Sequence, residues 1–198
     1  MEALVAALEG FVPADDVDYR YFTIFDRCCA SLKKGGAAEA TLAYRAIGLL
    51  ALTVGSGNAE DVDCAKDIQL RARSLVEKTL QSSSSGATTM AAAFDCLAAV
   101  TLAGARRPLD AAMAVTAVMG VIRRAGDGPT ASSPPPEVLT AALSAFALLL
   151  ATIGDGGVDL KTCPWAFKMD TIPFQKLVTL LESDNPSVLM AAGEALAV

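Results

Sequence analysis

The 198-residue chain contains no histidine, and aromatic residues make up only 6% of it. Without histidine, the commonest general base near neutral pH and the commonest transition-metal ligand are missing, which excludes most familiar catalytic and metal-binding constellations. The five cysteines, Cys28, Cys29, Cys64, Cys96 and Cys163, are odd in number and contain no C-x-x-C spacing. They compose no zinc set and read as reduced thiols of a nuclear or cytosolic protein, packed as small hydrophobes. The glycine-rich stretches Gly126-Asp127-Gly128 and Gly154-Asp155-Gly156-Gly157 lack the lysine of a phosphate loop and follow no strand signal. A Cys or Ser nucleophile would have to use Lys or a carboxylate as its base, and no spacing offers one. Positive charge is also in deficit: 16 Lys and Arg against 22 Asp and Glu leave a net charge of −6. That sign opposes binding to nucleic acid or anionic lipid. The composition therefore points to a non-enzymatic protein with no cofactor, no metal and no membrane attachment, for which direct nucleic-acid binding is disfavoured. The uncharged apolar run at residues 138–153 (VLTAALSAFALLLATI) holds 16 residues, short of the roughly 20 that cross a bilayer. It reads as a buried helix.

What the chain does have is alanine, 38 of them, within a 53% hydrophobic composition. Small aliphatic side chains favour helices that pack closely on one another. These helices repeat. The segments AYRAIGL from Ala43, AAFDCLA from Ala92, ALSAFAL from Ala142 and AGEALAV from Ala192 start 49, 50 and 50 residues apart. In the first three a glycine follows twelve residues after the starting alanine, at Gly55, Gly104 and Gly154, where a left-handed helix cap is expected. The fourth runs to Val198 with no cap, as in a chain cut from a longer protein.

Between the apolar helices lies a second, more amphipathic set. Asn58 with Glu60 and Asp61 reads as a helix start, as do Pro108 and the pair Asn185-Pro186. Phe174, Leu177, Val178 and Leu181 have the spacing of one buried stripe, and so do Leu109, Met113, Ala117 and Val121. A helix over residues 19–33, preceded by Asp15, Asp16 and Asp18, and a short helix near residues 3–8 complete the reading. A two-helix unit cannot bury its apolar face alone, whereas stacked units can. The expectation is an all-α, armadillo/HEAT-like α-solenoid of about four helix pairs with a period near 50 residues, spanning 1–198 as one helical-repeat domain. Residues 81–89 (QSSSSGATT), 126–136 and 154–158 read as surface loops.

Three charges interrupt the apolar helices: Arg45, Asp95 and Glu194. In repeat register Arg45 and Asp95 fall one step apart, near enough for ions on adjacent stacked helices to meet. They read either as such an ion pair or as a polar strip on a concave face that docks a partner peptide; they are the candidate partner-binding residues. The basic doublets Lys33-Lys34, Arg106-Arg107 and Arg123-Arg124 fall at or just beyond expected helix C-termini, where they complement the dipole. Trp165, the only Trp, reads as a packing wedge.

Residues 31–55 (SLKKGGAAEATLAYRAIGLLALTVG), 92–105 (AAFDCLAAVTLAGA), 140–154 (TAALSAFALLLATIG) and 188–198 (VLMAAGEALAV) together resemble the interferon-related developmental regulator family, from about residue 17 to the end. The Ser- and Pro-rich loops and alanine-rich style are similar to plant members. Where the family often has Trp, this chain has Phe146. The resemblance implies an N-terminal armadillo-like domain of a non-enzymatic regulator, with the family's smaller C-terminal domain missing, and it carries over no catalytic residue. It also implies protein partners of the corepressor and histone-deacetylase type in transcriptional co-regulation, in nucleus or cytoplasm. Ribosome- or RNA-associated translational control is the alternative.

Overall fold

Alanine-, leucine- and valine-rich segments with polar breaks between them form helices and nothing else among the described residues of the computed structural model, which are 1–10, 13, 16–17, 19–55, 62–82, 85–105, 107–125, 133–155 and 172–198. In chain order they are α1 (Glu2–Glu9), α2 (Tyr21–Lys34), α3 (Ala37–Gly55), α4 (Val62–Gln81), α5 (Ala87–Gly104), α6 (Pro108–Arg124), α7 (Pro136–Asp155), α8 (Ile172–Leu180) and α9 (Pro186–Ala197). After α1 they fall into four pairs, α2/α3, α4/α5, α6/α7 and α8/α9, the order expected of an armadillo/HEAT-like helical repeat. They gather into two compact units, Met1–Arg106 with α1 to α5, and Arg107–Val198 with α6 to α9.

In the first unit the equivalent helices α3 and α5 make the broadest contact and run parallel, in the register of the sequence repeat. Thr89 donates to the Ala37 carbonyl (3.4 Å). Further along, Gly48 faces Cys96 and Ala99, and Gly55 faces Ala103. These pairs are separated by 48 to 52 residues, so the repeat is a spatial stacking interval as well as a textual one. The first helices of the two pairs, α2 and α4, are stitched in the same register. The Arg71 guanidinium lies 4.6 Å from the Phe22 ring centroid and 4.4 Å from that of Phe25, while its Nη2 donates to Asp26 at 2.6 Å. A cation held between two rings and a carboxylate fixes both the spacing and the rotation of the outer helices. Between the layers, Tyr44 of α3 is buried and its hydroxyl donates to the Leu75 carbonyl (3.2 Å) and meets Thr79 Oγ1 at 2.5 Å on α4. The α1 helix rests on α3 through Val5 and Leu8.

The glycines that end the apolar helices are in the expected places, but neither Gly55 nor Gly104 carries a positive φ. They close the helices by proximity and not by left-handed caps. A Cβ on Gly104 would lie 2.8 Å from Gln69 Cβ and 2.9 Å from the Ala65 carbonyl carbon, with the Ala65 oxygen closer still. The α7 helix runs through Gly154 to Asp155. Both α3 and α5 are long and apolar enough to cross a membrane, yet half of each apolar window is buried against neighbouring helices, and Arg45 and Asp95 sit at mid-length.

In the second unit α7 packs against α6 and α9, and α8 against α6 and α9. Val138, Ala142, Leu143 and Leu149 of α7 are fully enclosed, as is Ala192 of α9. Asn185 caps α9 as expected, accepting from the backbone N–H of Ser187 (3.0 Å) and Val188 (3.3 Å), and Pro108 occupies the first turn of α6. Two stripe expectations need correction. On α6 Leu109 and Met113 are exposed and Ala117 is half-buried, so that of the expected stripe only Val121 is buried, while Ala111, Val115, Val118 and Ile122, on nearly the opposite side from Leu109, are buried. On α8 Leu177 and Leu180 are buried whereas Phe174 and Val178, and Leu181 just past its end, are exposed, so the packed face is turned by roughly a quarter turn from the sequence stripe. Both helices are apolar over more than one face, and periodicity names a wide stripe without saying which edge a neighbour will cover. The α2 helix starts at Tyr21, with no acid in its first turn. The α5 helix begins at Ala87, inside the expected 81–89 loop. Asn58, Glu60, Asp61, Asp15, Asp18, Cys163 and Trp165 lie outside the described residues.

Candidate functional site

A groove forms where α3 and α5 run side by side. The α3 helix supplies Thr41, Tyr44, Arg45, Gly48, Leu49 and Leu52, and α5 supplies Ala92, Asp95, Cys96 and Ala99. Both rows follow the one-face spacing of a helix. They face each other because the repeat register lays equivalent residues alongside. The groove exists because its floor is small: Gly48 would bring a Cβ to 3.3 Å from Ala99 Cβ, so the backbones approach closely while Leu49 and Leu52 stand beside them as walls. The space measures about 330 Å³.

The groove holds four titratable side chains. Cys96 and Tyr44 are buried, and burial is the main cause that raises the pKa of each, so both stay neutral at physiological pH. The charges are therefore Arg45 and Asp95, the residues singled out from the sequence. The structure brings both to one groove, but the recorded ion pair of Arg45 is with Glu9 at the end of α1, Nη2 to Oε1 2.5 Å. Glu9 was not foreseen as its partner. The available signal was the apolar spacing of Val5 and Leu8, which lays α1 on α3 and brings the residue after Leu8 within reach. Asp95 makes no hydrogen bond or ion pair among the described residues. Its carboxyl reaches solvent, yet apolar walls on either side strip part of its hydration and raise its pKa above the ordinary 3.8. Glu194, on α9 of the second unit, is exposed and does not line this groove.

The raised Asp95 pKa carries a stability consequence. The fold favours the protonated form, so the penalty is absent below the unfolded value near 3.8 and grows as pH rises through the folded value. Asp95→Asn is expected to raise the melting temperature slightly at pH 7, by no more than about 0.5 kcal/mol of stability for so accessible a side chain, with the gain vanishing below pH about 3.5. Thermal melts of both proteins across that range would expose the error if the gain were constant or reversed.

Elsewhere the chemistry is muted. Cys28 is buried and its thiol is pushed up to about 12, chiefly by desolvation, the opposite of a reactive cysteine. Among the described residues no three His, Cys, Asp or Glu side chains converge to hold a metal ion. Of the basic doublets, Lys33-Lys34 and Arg123-Arg124 end α2 and α6. Arg107 instead precedes α6 and pairs with Asp110 at 3.0 Å.

A family model described as interferon-related developmental regulator (IFRD) matches residues 1–198, the whole chain. No curated protein and no solved structure matches it.

Proposed function

The chain belongs to the interferon-related developmental regulator family, a family of regulators, and from that premise we propose that it is a non-enzymatic protein-interaction scaffold. It docks protein components of regulatory complexes of the corepressor and histone-deacetylase type in transcriptional co-regulation, in the nucleus, the cytoplasm or both. The observation that carries this reading is the α3/α5 groove, an apolar trough between rigidly registered helices with Arg45 and Asp95 in its lining. Helix grooves of this kind suit peptide recognition, because the scaffold is ordered before the partner arrives and little entropy is lost on its side. The buried, high-pKa thiols of Cys28 and Cys96 and the absence of histidine support a binding role over a catalytic one.

Reversing both charges, Arg45→Glu with Asp95→Lys, is expected to reduce capture of regulatory-complex subunits several-fold in affinity purification. Both side chains are accessible, so the melting temperature should move by only about 2 °C. Glu194→Lys, examined separately, reports whether the second unit contributes. Undiminished capture by the double variant would remove the groove from the reading. Binding to ribosomes that falls steeply with salt would favour the alternative of direct phosphate contact, since counterion release makes such binding strongly salt-dependent.

A further inference from the structure

The α3/α5 groove offers a visitor one charge that no group among the described residues already satisfies. Arg45 is met by Glu9. The Thr41 hydroxyl donates to the Ala37 carbonyl at 2.9 Å, and the Tyr44 hydroxyl is engaged by Leu75 and Thr79. What remains is the Asp95 carboxylate, set between Ala92 one turn before it and Ala99 one turn after, opposite Gly48 and the leucine wall. An anion in an apolar trough, with no partner among the described residues, is complementary to a cation flanked by aliphatic groups.

We propose that the groove docks an amphipathic helix of a partner protein that presents aliphatic side chains at positions i and i+7 and a lysine or arginine at i+3 or i+4 between them. The aliphatic anchors lie over the small residues Ala92 and Ala99, and the basic head group meets Asp95. The spacing follows from the groove itself, because Ala92, Asp95, Cys96 and Ala99 are i, i+3, i+4 and i+7 of α5, and a helix laid alongside repeats that period. The volume of about 330 Å³ lies at the small end of ligand clefts, suited to anchoring side chains. The carboxylate already carries part of its desolvation cost in the free protein, so less remains to be met when a cation closes over it. This inference rests on reading the groove as a docking surface, and adds the chemistry of what docks.

The test uses two synthetic peptides of about 15 residues, long enough for a helix to form on binding. Both carry leucine at i and i+7 in an alanine/glutamine background; one has lysine at i+4 and the other glutamate. Fluorescence anisotropy with the full chain is expected to show the lysine peptide binding about tenfold more tightly, since the glutamate peptide places like charges together. In Asp95→Asn, whose folding is checked by its melting curve, that preference should shrink to about twofold or less. Leu52→Gln should weaken both peptides alike, because it removes a wall and no charge. Equal affinities in the unaltered chain, a lysine preference that survives in Asp95→Asn, or no binding of either peptide would overturn the proposal. If the double charge reversal still strips regulatory subunits from the protein while the peptides show no preference, the docking function stands and the basic-helix rule falls.

Discussion

Tyr44→Ala is expected to lower the unfolding free energy by about 3–5 kcal/mol, the cost of deleting a large, fully enclosed ring from a core that cannot collapse around the void. Tyr44 is 1% exposed and joins three elements. It lies on α3, its hydroxyl reaches Leu75 and Thr79 on α4, and it borders the groove shared with α5. Tyr44→Phe keeps the ring and removes only the hydroxyl, so its cost should be about 1 kcal/mol, that of one exchanged hydrogen bond. Denaturant titrations of the two variants separate packing from hydrogen bonding. If they cost the same, the hydroxyl and not the ring is what ties α3 to α4.

Gly104→Ala is expected to cost about 1–3 kcal/mol, as overpacking does when the neighbour is backbone and cannot rotate away. The added methyl would meet Gln69 Cβ at 2.8 Å and the Ala65 carbonyl group at 2.9 Å or less, forcing α4 and α5 apart at the point where the second pair closes. Gly104→Val should cost more. Gly120 provides the contrast: it lies within α6, is exposed, and a Cβ there meets nothing within 4 Å. Gly120→Ala should therefore stabilise by about 0.5–1 kcal/mol through helix propensity alone. Opposite signs for one chemical change in two helices are the outcome to look for in thermal or urea melts, and equal signs would contradict the close approach at Gly104.

Much of this architecture was legible before any coordinates. The 49-residue offset between Ala43 and Ala92 reappears as the parallel stacking of α3 on α5, because identical apolar patterns present identical faces and stack most closely when held in register. The glycines twelve residues after Ala43 and Ala92, Gly55 and Gly104, were legible as helix ends, but their cause was misassigned. A left-handed cap and a tight helix crossing both require glycine, and only the positions of Ala65, Gln69 and Ala103 distinguish them. The groove was half legible. Arg45 and Asp95 stood out as charges in apolar helices, and the repeat register set them near each other. That Glu9 would take Arg45 and leave Asp95 alone depended on where α1 lies.

The α6 and α8 stripes mark the same boundary from the other side. Leu109 and Phe174 have the spacing of core residues and are exposed, while Ala111 and Leu180, outside the counted stripes, are buried. By itself the sequence determined that the chain is helical and that its helices come in pairs repeating near 50 residues, because periodicity, propensity and composition act locally along the chain; the family was legible in the likeness of its segments to a known family. Only the tertiary structure decided which edge of each apolar helix is covered, why Gly104 must be glycine and which groove charge has no partner among the described residues. Those outcomes depend on distances between segments remote in sequence, where steric exclusion and electrostatics act over a few ångströms and no local pattern encodes them.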